Sequence, residues 1–361
     1  MRKRIPKILV TGGAGFIGSA FVRLIARKGL SPTCPPAHQW REGTVPEIIV
    51  VDKLTYAGDL KRLEVICKRG QSPAATVPFY GFYQTDICNK KAIERIFLKE
   101  KPDIVVHFAA ESHVDRSIDD AAPFIDTNIK GTQILLDASR KCNVQKFIFI
   151  STDEVYGEII NGGFNENSPI KPNSPYAASK AASDLLTQAY IRTYKFPAII
   201  IRPSNNYGPW QYPEKLIPLA ILRIIDGGKI PIYGRGQNAR EWLYVDDCAR
   251  GIKIIMRKGK IGQIYNLGSA CESKNIDTIK LLLKTLGASQ GRFEFVKDRL
   301  GHDIRYSLNS KKITREFGWK PSVKLAEGLK LTVDWSLKHA PWLKSKLGDI
   351  NKLYKFGRGY N

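Results

Sequence analysis

The feature that most constrains the fold is a glycine-rich segment near the start of the chain, VTGGAGFIG at residues 10–18. Gly12, Gly15 and Gly18 are spaced three residues apart, between an apolar run at 7–11 and a helix predicted over 17–28. Glycine permits a tight turn and a close approach of the backbone to a pyrophosphate, while the helix N-terminus offers free N–H groups. The segment therefore predicts the first turn of a dinucleotide-binding domain.

Strand-like and helical stretches alternate after this turn. Further strands are predicted at 47–52, 81–86, 103–110, 146–152 and 198–204, and further helices at 90–100, 128–142 and 176–194. Several strands are continuously apolar and rich in Val and Ile, which is typical of strands buried on both faces of a parallel sheet. The pattern predicts an α/β fold, a doubly wound parallel (Rossmann) sheet with a second, smaller mixed α/β domain that binds the substrate.

The composition and the apolar pattern of the sequence change after about residue 205, where apolar runs shorten and Pro and Gly become more frequent. We therefore predict a dinucleotide-binding domain over 1–205 and a second domain over 206–361, with a strand near 264–268 that returns to the first. Two Pro-, Ser- and Gly-containing stretches without periodicity, 30–46 and 69–78, are predicted to be surface loops.

Charge and cysteine usage limit the classes of partner. The chain of 361 residues carries 57 Lys and Arg against 34 Asp and Glu, a net charge of +23, which favours anionic partners. No nucleic-acid motif accompanies the charge, so a nucleic-acid partner is not predicted. The six cysteines form no CxxC pair, which indicates reduced thiols in the cytoplasm and no metal site. Neither a signal peptide nor an apolar run long enough to cross a membrane is recognised.

A carboxylate at the end of the second predicted strand, Asp52, indicates which dinucleotide is bound. In this fold such a carboxylate accepts hydrogen bonds from the adenosine ribose hydroxyls and repels a 2′-phosphate. The sequence therefore predicts NAD rather than NADP.

A tyrosine and a lysine four residues apart, Tyr176 and Lys180 in SPYAASKAASD, begin a predicted helix. The spacing places both side chains on one helix face, where an ammonium lowers the pKa of a phenol from about 10. Tyr176 is therefore predicted to act as a base near neutrality.

Two adjacent acids, Asp153 and Glu154, follow Thr152 where a predicted strand ends, in ISTDEVYG at 150–157. Consecutive side chains leaving a strand point in different directions, so the two carboxyl groups can reach two atoms of one substrate. Neighbouring carboxyls also push their pKa values apart, which leaves one as a proton donor and the other as a base. Thr152 can hydrogen-bond the hydroxyl that Tyr176 deprotonates. By itself, the pair of acids would be interpreted as the cap of a turn. In a chain that also has Tyr176 and a dinucleotide-binding turn, the pair indicates acid–base chemistry.

Together these motifs resemble the extended short-chain dehydrogenases/reductases, the NAD-dependent epimerases and dehydratases, and within them the dTDP-glucose 4,6-dehydratase family. The segments that carry the resemblance are TGGAGFIGS, VDKLTYAG, TDIC, HFAAESHVDRSI, FIDTNIKGT, STDEVYG, SPYAASKAASD, SNNYGPWQYPEKLIP, IYGRGQNAREWLYVDD, YNLGS, ESKNID and DRLGHDIRY. The last has Leu300 where the family more often has proline, and the tail after about residue 342 matches poorly.

The resemblance implies three sets of site residues. The catalytic set is Thr152, Asp153, Glu154, Tyr176 and Lys180. The NAD site would be lined by Gly12, Gly15, Phe16, Ile17, Gly18, Asp52, Lys53, Leu54, Thr55, Asp86, Ile87, Phe108, Ala109, Ala110, Ser112, Thr127, Tyr176 and Lys180. The nucleotide sugar would be held by Ser112, Thr152, Asp153, Glu154, Asn205, Lys215, Leu216, Arg240, Asn275, Arg299 and His302.

The implied reaction is that of a lyase of deoxysugar biosynthesis, such as that of rhamnose. It converts dTDP-glucose to dTDP-4-keto-6-deoxyglucose by C4 oxidation, elimination of water across C5 and C6, and hydride return to C6; a homodimer is also implied. Two alternatives stay open at this point. One is a UDP-glucose 4,6-dehydratase, or another sugar-nucleotide epimerase or decarboxylase; the other is a non-catalytic RNA-binding protein on the same fold.

Overall fold

The structure, a computed structural model, describes residues 6–26, 46–64, 67–68 and 79–356. The predicted surface loops at 30–46 and 69–78 lie outside the described residues, apart from residue 46.

The largest element is a sheet of eight parallel strands in the order β11-β7-β6-β5-β1-β2-β4-β3. The central strands are apolar and almost fully buried, so both faces must be covered by helices. The strands are β1 (Lys7–Thr11), β2 (Glu47–Asp52), β3 (Cys67–Lys68), β4 (Phe79–Gln84), β5 (Ile104–His107), β6 (Lys146–Ile150), β7 (Ala198–Pro203) and β11 (Ile264–Leu267). The predicted doubly wound parallel sheet is confirmed.

Two small sheets lie in the second half of the chain. One contains β8 (Asn205–Tyr207), β10 (Ala239–Tyr244) and β12 (Glu272–Lys274), with one parallel and one antiparallel pairing. The other pairs β9 (Ile230–Tyr233) with β13 (Phe293–Val296) in parallel. They form the smaller mixed unit that the sequence predicts.

The helices, in chain order, begin with the one that follows the glycine turn. They are α1 (Phe16–Ala26), α2 (Lys90–Glu100), α3 (Val114–Asp119), α4 (Ala122–Phe124), α5 (Thr132–Lys141), α6 (Pro175–Tyr194), α7 (Leu216–Ile225), α8 (Val245–Lys258), α9 (Asn275–Thr285), α10 (Lys311–Phe317), α11 (Leu325–Lys338), α12 (Ala340–Lys344) and α13 (Leu347–Phe356). Single 3₁₀ turns cover Leu60–Leu63 and Asp153–Tyr156. None of the helices within the described ranges has the length and apolarity that a membrane span requires.

The chain crosses between the two halves more than once. Strand β11 pairs with β7 in the large sheet, and α8 packs against α1 in the same core cluster. The strand near 264–268 therefore does return to the first sheet, and α8 accompanies it. The division at residue 205 stays a prediction. The hydrophobic core of the large sheet also contains side chains from residues 243–267, which lie beyond that division.

The predicted helix at 128–142 differs most from the observed one. Its beginning belongs to a π-helical segment, Ile125–Gly131, that leads into α5. Inside it the buried amide of Asn128 donates to Glu111 O (3.0 Å) and Ser179 Oγ (2.8 Å) and accepts from Glu111 N (2.9 Å). These bonds join the segment to the loop after β5 and to α6, and π-helical turns of this kind are frequent at functional sites.

Candidate active site

One cavity of about 420 Å³ lies at the carboxyl ends of the parallel strands, between the large sheet and the second half of the chain. This edge is where open α/β sheets bind ligands. Every predicted site residue lines the cavity except Leu54. Leu54 was expected in the cofactor site, but its side chain packs against the core of the large sheet, while its backbone N–H donates to Asp52.

The glycine turn leaves the backbone no room for side chains. Gly12 has φ +67°, and a Cβ there would meet Ala109 N at 2.6 Å; a Cβ on Gly18 would meet Gly12 O at 2.2 Å. A Cβ on Gly15, by contrast, would have one described atom within 4 Å, Gly12 O at 3.1 Å. The turn is tight on the protein side and open on the cavity side, which fits a pyrophosphate above Gly15.

Asp52 ends β2 at the cavity wall, 8% exposed. Its carboxylate accepts Ala14 N at 2.9 Å and Leu54 N at 2.8 Å, so the glycine turn and the β2 end hold it in place. Burial raises the pKa of this carboxyl, against the lowering effect of the two backbone N–H groups and Arg62. Beside it the Lys53 ammonium lies 2.7 Å from Asp86 Oδ2. These residues can hold an adenosine ribose.

The two acids occupy the 3₁₀ turn that follows β6. Thr152 Oγ1 accepts from Glu154 N at 3.3 Å and donates to Asp153 Oδ1 at 3.2 Å. Asp153 is 2% exposed and Glu154 is partly buried, and both line the cavity. Neither is turned out into bulk solvent.

The surroundings of the two acids separate their protonation. Burial, Glu154 and Glu241 hold the pKa of Asp153 well above its usual range. Burial also raises the pKa of Glu154, but the positive charges of Lys215, Arg240 and Arg299 oppose that rise. Asp153 is thus the group that keeps its proton, and Glu154 is the one that ionises first.

Tyr176 and Lys180 stand one turn apart on α6, but the ammonium faces the sheet. Lys180 Nζ donates to Ile150 O at 2.7 Å and lies 4.5 Å from the centroid of the Phe149 ring. Burial lowers the pKa of Lys180 to about 8. Burial and the carboxylate of Glu154 raise the pKa of Tyr176, while a hydrogen bond with Thr152 lowers it. The expectation that Lys180 lowers the pKa of Tyr176 was wrong, because burial and Glu154 raise that pKa while the ammonium is directed at Ile150 O.

A buried ion pair fixes the acid-bearing turn relative to α6. Arg202, on β7, donates from Nε and Nη2 to the Asp184 carboxylate, both at 2.8 Å, and from Nη1 to Tyr156 Oη at 2.8 Å. Asp184 lies on α6 and Tyr156 in the turn that contains the two acids. Both charged side chains are at most 1% exposed, so this bidentate pair sets the spacing between the acids and Tyr176.

The opposite wall carries the residues predicted to hold the nucleotide. Lys215 Nζ donates to Ser112 O at 2.7 Å, and Arg240 Nη2 donates to Asp303 O at 2.9 Å. The side-chain oxygens of Asn205 and Asn275 are buried and have no hydrogen-bond partner in the described part of the chain. Unpartnered buried acceptors and cations on one wall fit an anionic ligand with hydrogen-bond donors.

Sequence reasoning missed other residues that line the cavity, among them Glu111, His113, Asp115, Tyr233, Asp303 and Tyr306. Three of these stand within HFAAESHVDRSI, so the motif itself carried the signal. The other three also stand within quoted motifs, Tyr233 in IYGRGQNAREWLYVDD and Asp303 and Tyr306 in DRLGHDIRY, although only the fold brings these segments to the cavity. In the described ranges no group of three or more His, Cys, Asp or Glu side chains could hold a metal ion.

Comparison with known proteins agrees with this site. Residues 9–332 match the model of a family described as GDP-mannose 4,6 dehydratase. A dTDP-glucose 4,6-dehydratase of Actinoplanes is 44% identical over 93% of this chain and 99% of its own length. One from Neisseria meningitidis is 44% identical over 98% and 99%.

Solved structures give the same picture. The dTDP-glucose 4,6-dehydratase of Streptomyces venezuelae, crystallised with NAD, superposes with a TM-score of 0.83 at 46% identity over 93% of this chain and 98% of its own. A UDP-glucose 4-epimerase of Thermotoga maritima, with UDP-glucose, has a TM-score of 0.80 at 31% identity over 92% and 99%. The chain therefore belongs to the GDP-mannose 4,6-dehydratase family, and within it to the dTDP-glucose 4,6-dehydratases that its motifs resemble.

Proposed function

We propose that the protein is an NAD-dependent lyase that converts dTDP-glucose to dTDP-4-keto-6-deoxyglucose and water. The observation that carries the proposal is the pair Asp153 and Glu154, which line one cavity with Tyr176 and differ in their surroundings. A C4 epimerase needs one proton acceptor and a hydride carrier. A second acid–base pair is required when a C–O bond is also broken.

The glycine turn and Asp52 support NAD as the resident cofactor, with Tyr176 and Lys180 at its nicotinamide end. When bound, NAD supplies a hydride acceptor for C4, a hydride donor for C6 and a positive charge beside Tyr176. The conversion of the sugar to its 4-keto-6-deoxy product and water is redox-neutral overall, so it would consume no NAD.

Tyr176 removes the proton of the C4 hydroxyl in the first step. Thr152, which hydrogen-bonds both the tyrosine and Asp153, orients that hydroxyl. A phenol with a raised pKa needs local positive charge to act as a base. Within the protein, the buried ammonium of Lys180, one turn further along α6, can supply that charge. The product of this step is a C4 ketone, which acidifies the hydrogen on C5.

Elimination of water uses the two acids in opposite roles. Glu154, flanked by Lys215, Arg240 and Arg299, removes the C5 proton as a carboxylate. Asp153 has kept its proton and gives it to the departing C6 hydroxyl, so that water leaves and a C5–C6 double bond forms. After hydride return to C6, protonated Glu154 gives its proton back to C5. Tyr176 then carries the proton of the C4 hydroxyl, and Asp153 has lost the proton that left with water. One proton must pass from Tyr176 to Asp153, through solvent or through Thr152, which hydrogen-bonds both residues, to restore the starting state.

The nucleotide assignment rests on the relatives, which are named dTDP-glucose 4,6-dehydratases. Lys215, Arg240 and Arg299 support the binding of a diphosphate in either a thymidine or a uridine nucleotide. The two bases differ by one methyl group, worth only about 1–3 kcal/mol in a pocket. UDP-glucose is therefore the second substrate to test.

The experiment is to incubate purified protein, without added cofactor, with dTDP-glucose, UDP-glucose and GDP-mannose in parallel. We expect dTDP-glucose to lose one water, as detected by mass spectrometry, and the Tyr176→Phe variant to give no product. Epimerised sugar of unchanged mass would contradict the dehydratase proposal. Faster turnover of UDP-glucose or GDP-mannose would contradict the choice of nucleotide alone.

We also propose a homodimer that works in the cytoplasm. Ile125 and Leu185 lie on neighbouring helical segments and are 53% and 52% exposed, which supports an apolar face for a second copy. Cys88, Cys142, Cys248 and Cys271 are free thiols, which supports a reducing compartment. Light scattering of wild type and of the double variant Ile125→Asp/Leu185→Asp tests the dimer, and an unchanged mass would contradict this face.

A further inference from the structure

A carboxylate that has no place in the reaction faces the cations of the nucleotide wall. Asp115 lies on α3, in the half of the molecule that carries the glycine turn, and lines the cavity. Its Oδ1 is 3.3 Å from Arg299 Nε, and its Oδ2 accepts the hydroxyl of Tyr233 at 3.3 Å. Asp115 therefore joins two segments of the second half to the first half across the cavity.

The guanidinium of Arg299 is held from a second side by an aromatic ring. It lies 4.7 Å from the centroid of the Tyr233 ring, and Tyr233 is the residue whose hydroxyl donates to Asp115. The side chains of Arg299 and Asp115 are 24% and 21% exposed, so the pair is partly shielded from solvent. The ion pair and the ring contact together restrict the orientations of a long arginine side chain, which reduces the side-chain entropy that is lost when a ligand binds.

The direction of the contact decides what Asp115 does. Asp115 lies beside the Nε edge of the guanidinium as an ion pair and not as a hydrogen bond, because the buried Nε has no hydrogen-bond partner in the described part of the chain. The contact leaves the two terminal amino groups of Arg299 to a ligand. Those groups are the donors that grip two oxygens of a diphosphate side by side. A carboxylate that blocked ligand binding would instead occupy the terminal groups.

Lys215 is positioned from the same segment of chain. Its Nζ donates to the carbonyl oxygen of Ser112, three residues before Asp115, at 2.7 Å. An ammonium has three donors, so two stay available for a ligand. The segment 112–115 thus anchors two cations of the nucleotide wall without using all their donors.

We propose that Asp115 is a positioning residue that orients Arg299 for the diphosphate of the nucleotide sugar. The inference rests on the proposed function, because it takes a nucleoside diphosphate as the ligand. Asp115 touches neither the sugar nor the reacting atoms in this account. Its contribution is to affinity, through Arg299.

The test is a double-variant cycle read by calorimetric titration with dTDP and, separately, with thymidine. Wild type is also titrated with UDP. The proteins are wild type, Asp115→Asn, Arg299→Ala and the double variant, all with their bound cofactor. We expect Asp115→Asn to weaken dTDP binding about tenfold and to have little further effect in the Arg299→Ala background, since the two residues act as one unit. Thymidine lacks a diphosphate, so its affinity should be the same in all four.

Steady-state kinetics provide a second readout that a general loss of structure would not give. Asp115→Asn should raise KM for dTDP-glucose about tenfold with little change in kcat, and Asp115→Glu should restore part of the loss. Asp334→Asn, a loss of the same charge at an exposed position of α11, is the matched control and should change neither constant.

Three results would overturn the inference. The first is tighter dTDP binding by Asp115→Asn, which would make Asp115 a competitor of the ligand. The second is full additivity of the losses in binding free energy in the Asp115/Arg299 cycle. The third is a loss of thymidine binding as large as the loss of dTDP binding. Wild-type protein that binds neither dTDP nor UDP would refute the proposed function, and the inference with it. Wild-type binding without coupling between positions 115 and 299 would refute the inference alone.

Discussion

Replacing Asp153 with asparagine should slow the loss of water from the sugar while proton removal at C5 continues. Asparagine has nearly the same shape and can still accept the hydrogen bond that Thr152 Oγ1 donates at 3.2 Å, but it has no proton to give. Position 153 is 2% exposed, so bulk water has little access as a substitute acid. The variant therefore isolates one proton transfer.

The magnitude follows from the burial and from the leaving group. A positioned general acid contributes about 10²–10⁴-fold to a rate. Hydroxide is a poor leaving group and Asp153 is shielded from solvent, so we expect the upper half of that range, about 10³–10⁴-fold in kcat. This equals about 4–5.5 kcal/mol of lost transition-state stabilisation.

The assay is run in deuterium oxide and follows two quantities, the 4-keto product and the deuterium at C5 of recovered substrate. In Asp153→Asn, Glu154 still removes the C5 proton and returns a deuteron, so recovered dTDP-glucose should gain label while product formation nearly stops. Glu154→Gln should lose both, although C4 oxidation, read from the absorbance of reduced nicotinamide, should persist. More than a tenth of wild-type turnover in Asp153→Asn, or no C5 exchange there, would refute the division of roles.

Three further changes test the electrostatics and the packing of the site. The pKa of Asp153 is raised in the folded state, so its protonated carboxyl favours folding below the unfolded pKa and this contribution is lost as the pH rises. The thermal stability of Asp153→Asn relative to wild type should therefore increase from pH 5 to pH 8. A difference that does not change with pH would contradict the raised pKa. Arg202→Met leaves Asp184 as a buried unpaired charge and should cost about 3–5 kcal/mol in urea unfolding, whereas a cost under about 1 kcal/mol would mean that the pair does not fix the turn. Gly18→Ala places a methyl group 2.2 Å from a backbone oxygen and should lower copurified NAD about tenfold, while Gly291→Ala, in open space, should not.

Much of the large sheet could be predicted because its strands are local in sequence. The apolar runs at 7–11 and 47–52 became β1 and β2 with the same bounds, and the helix at 90–100 begins after Asn89, whose side chain accepts Ala92 N. The predicted strand at 103–110 ends at His107 instead, because from there the chain turns to form the cavity wall, with Phe108 N bonded to Thr11 O. The apolar pattern of the sequence continues past His107, so it could not show that the strand ends there.

The properties that required the structure depend on residues distant in sequence. The raised pKa of Tyr176 comes from burial by several segments, and the assignment of Glu154 as the base depends on cations 61, 86 and 145 positions further along, at Lys215, Arg240 and Arg299. The position of Leu54 could not be read from its motif, since a backbone with φ +55° turns its side chain into the core. Motif spacing identifies which residues carry the catalytic side chains, but the pKa values of those side chains depend on how the folded chain packs around them.

The most direct test of the whole account uses dTDP-glucose labelled with deuterium at C4, mixed with dTDP-glucose that has no deuterium but carries a heavy isotope in its carbons. The account predicts that deuterium moves from C4 to C6 within the same sugar, without added reductant, so that product molecules with heavy carbons contain no deuterium. Deuterium lost to solvent, or spread onto the heavy-carbon product, would contradict a single cavity in which one bound cofactor and the acids at positions 153 and 154 complete the reaction.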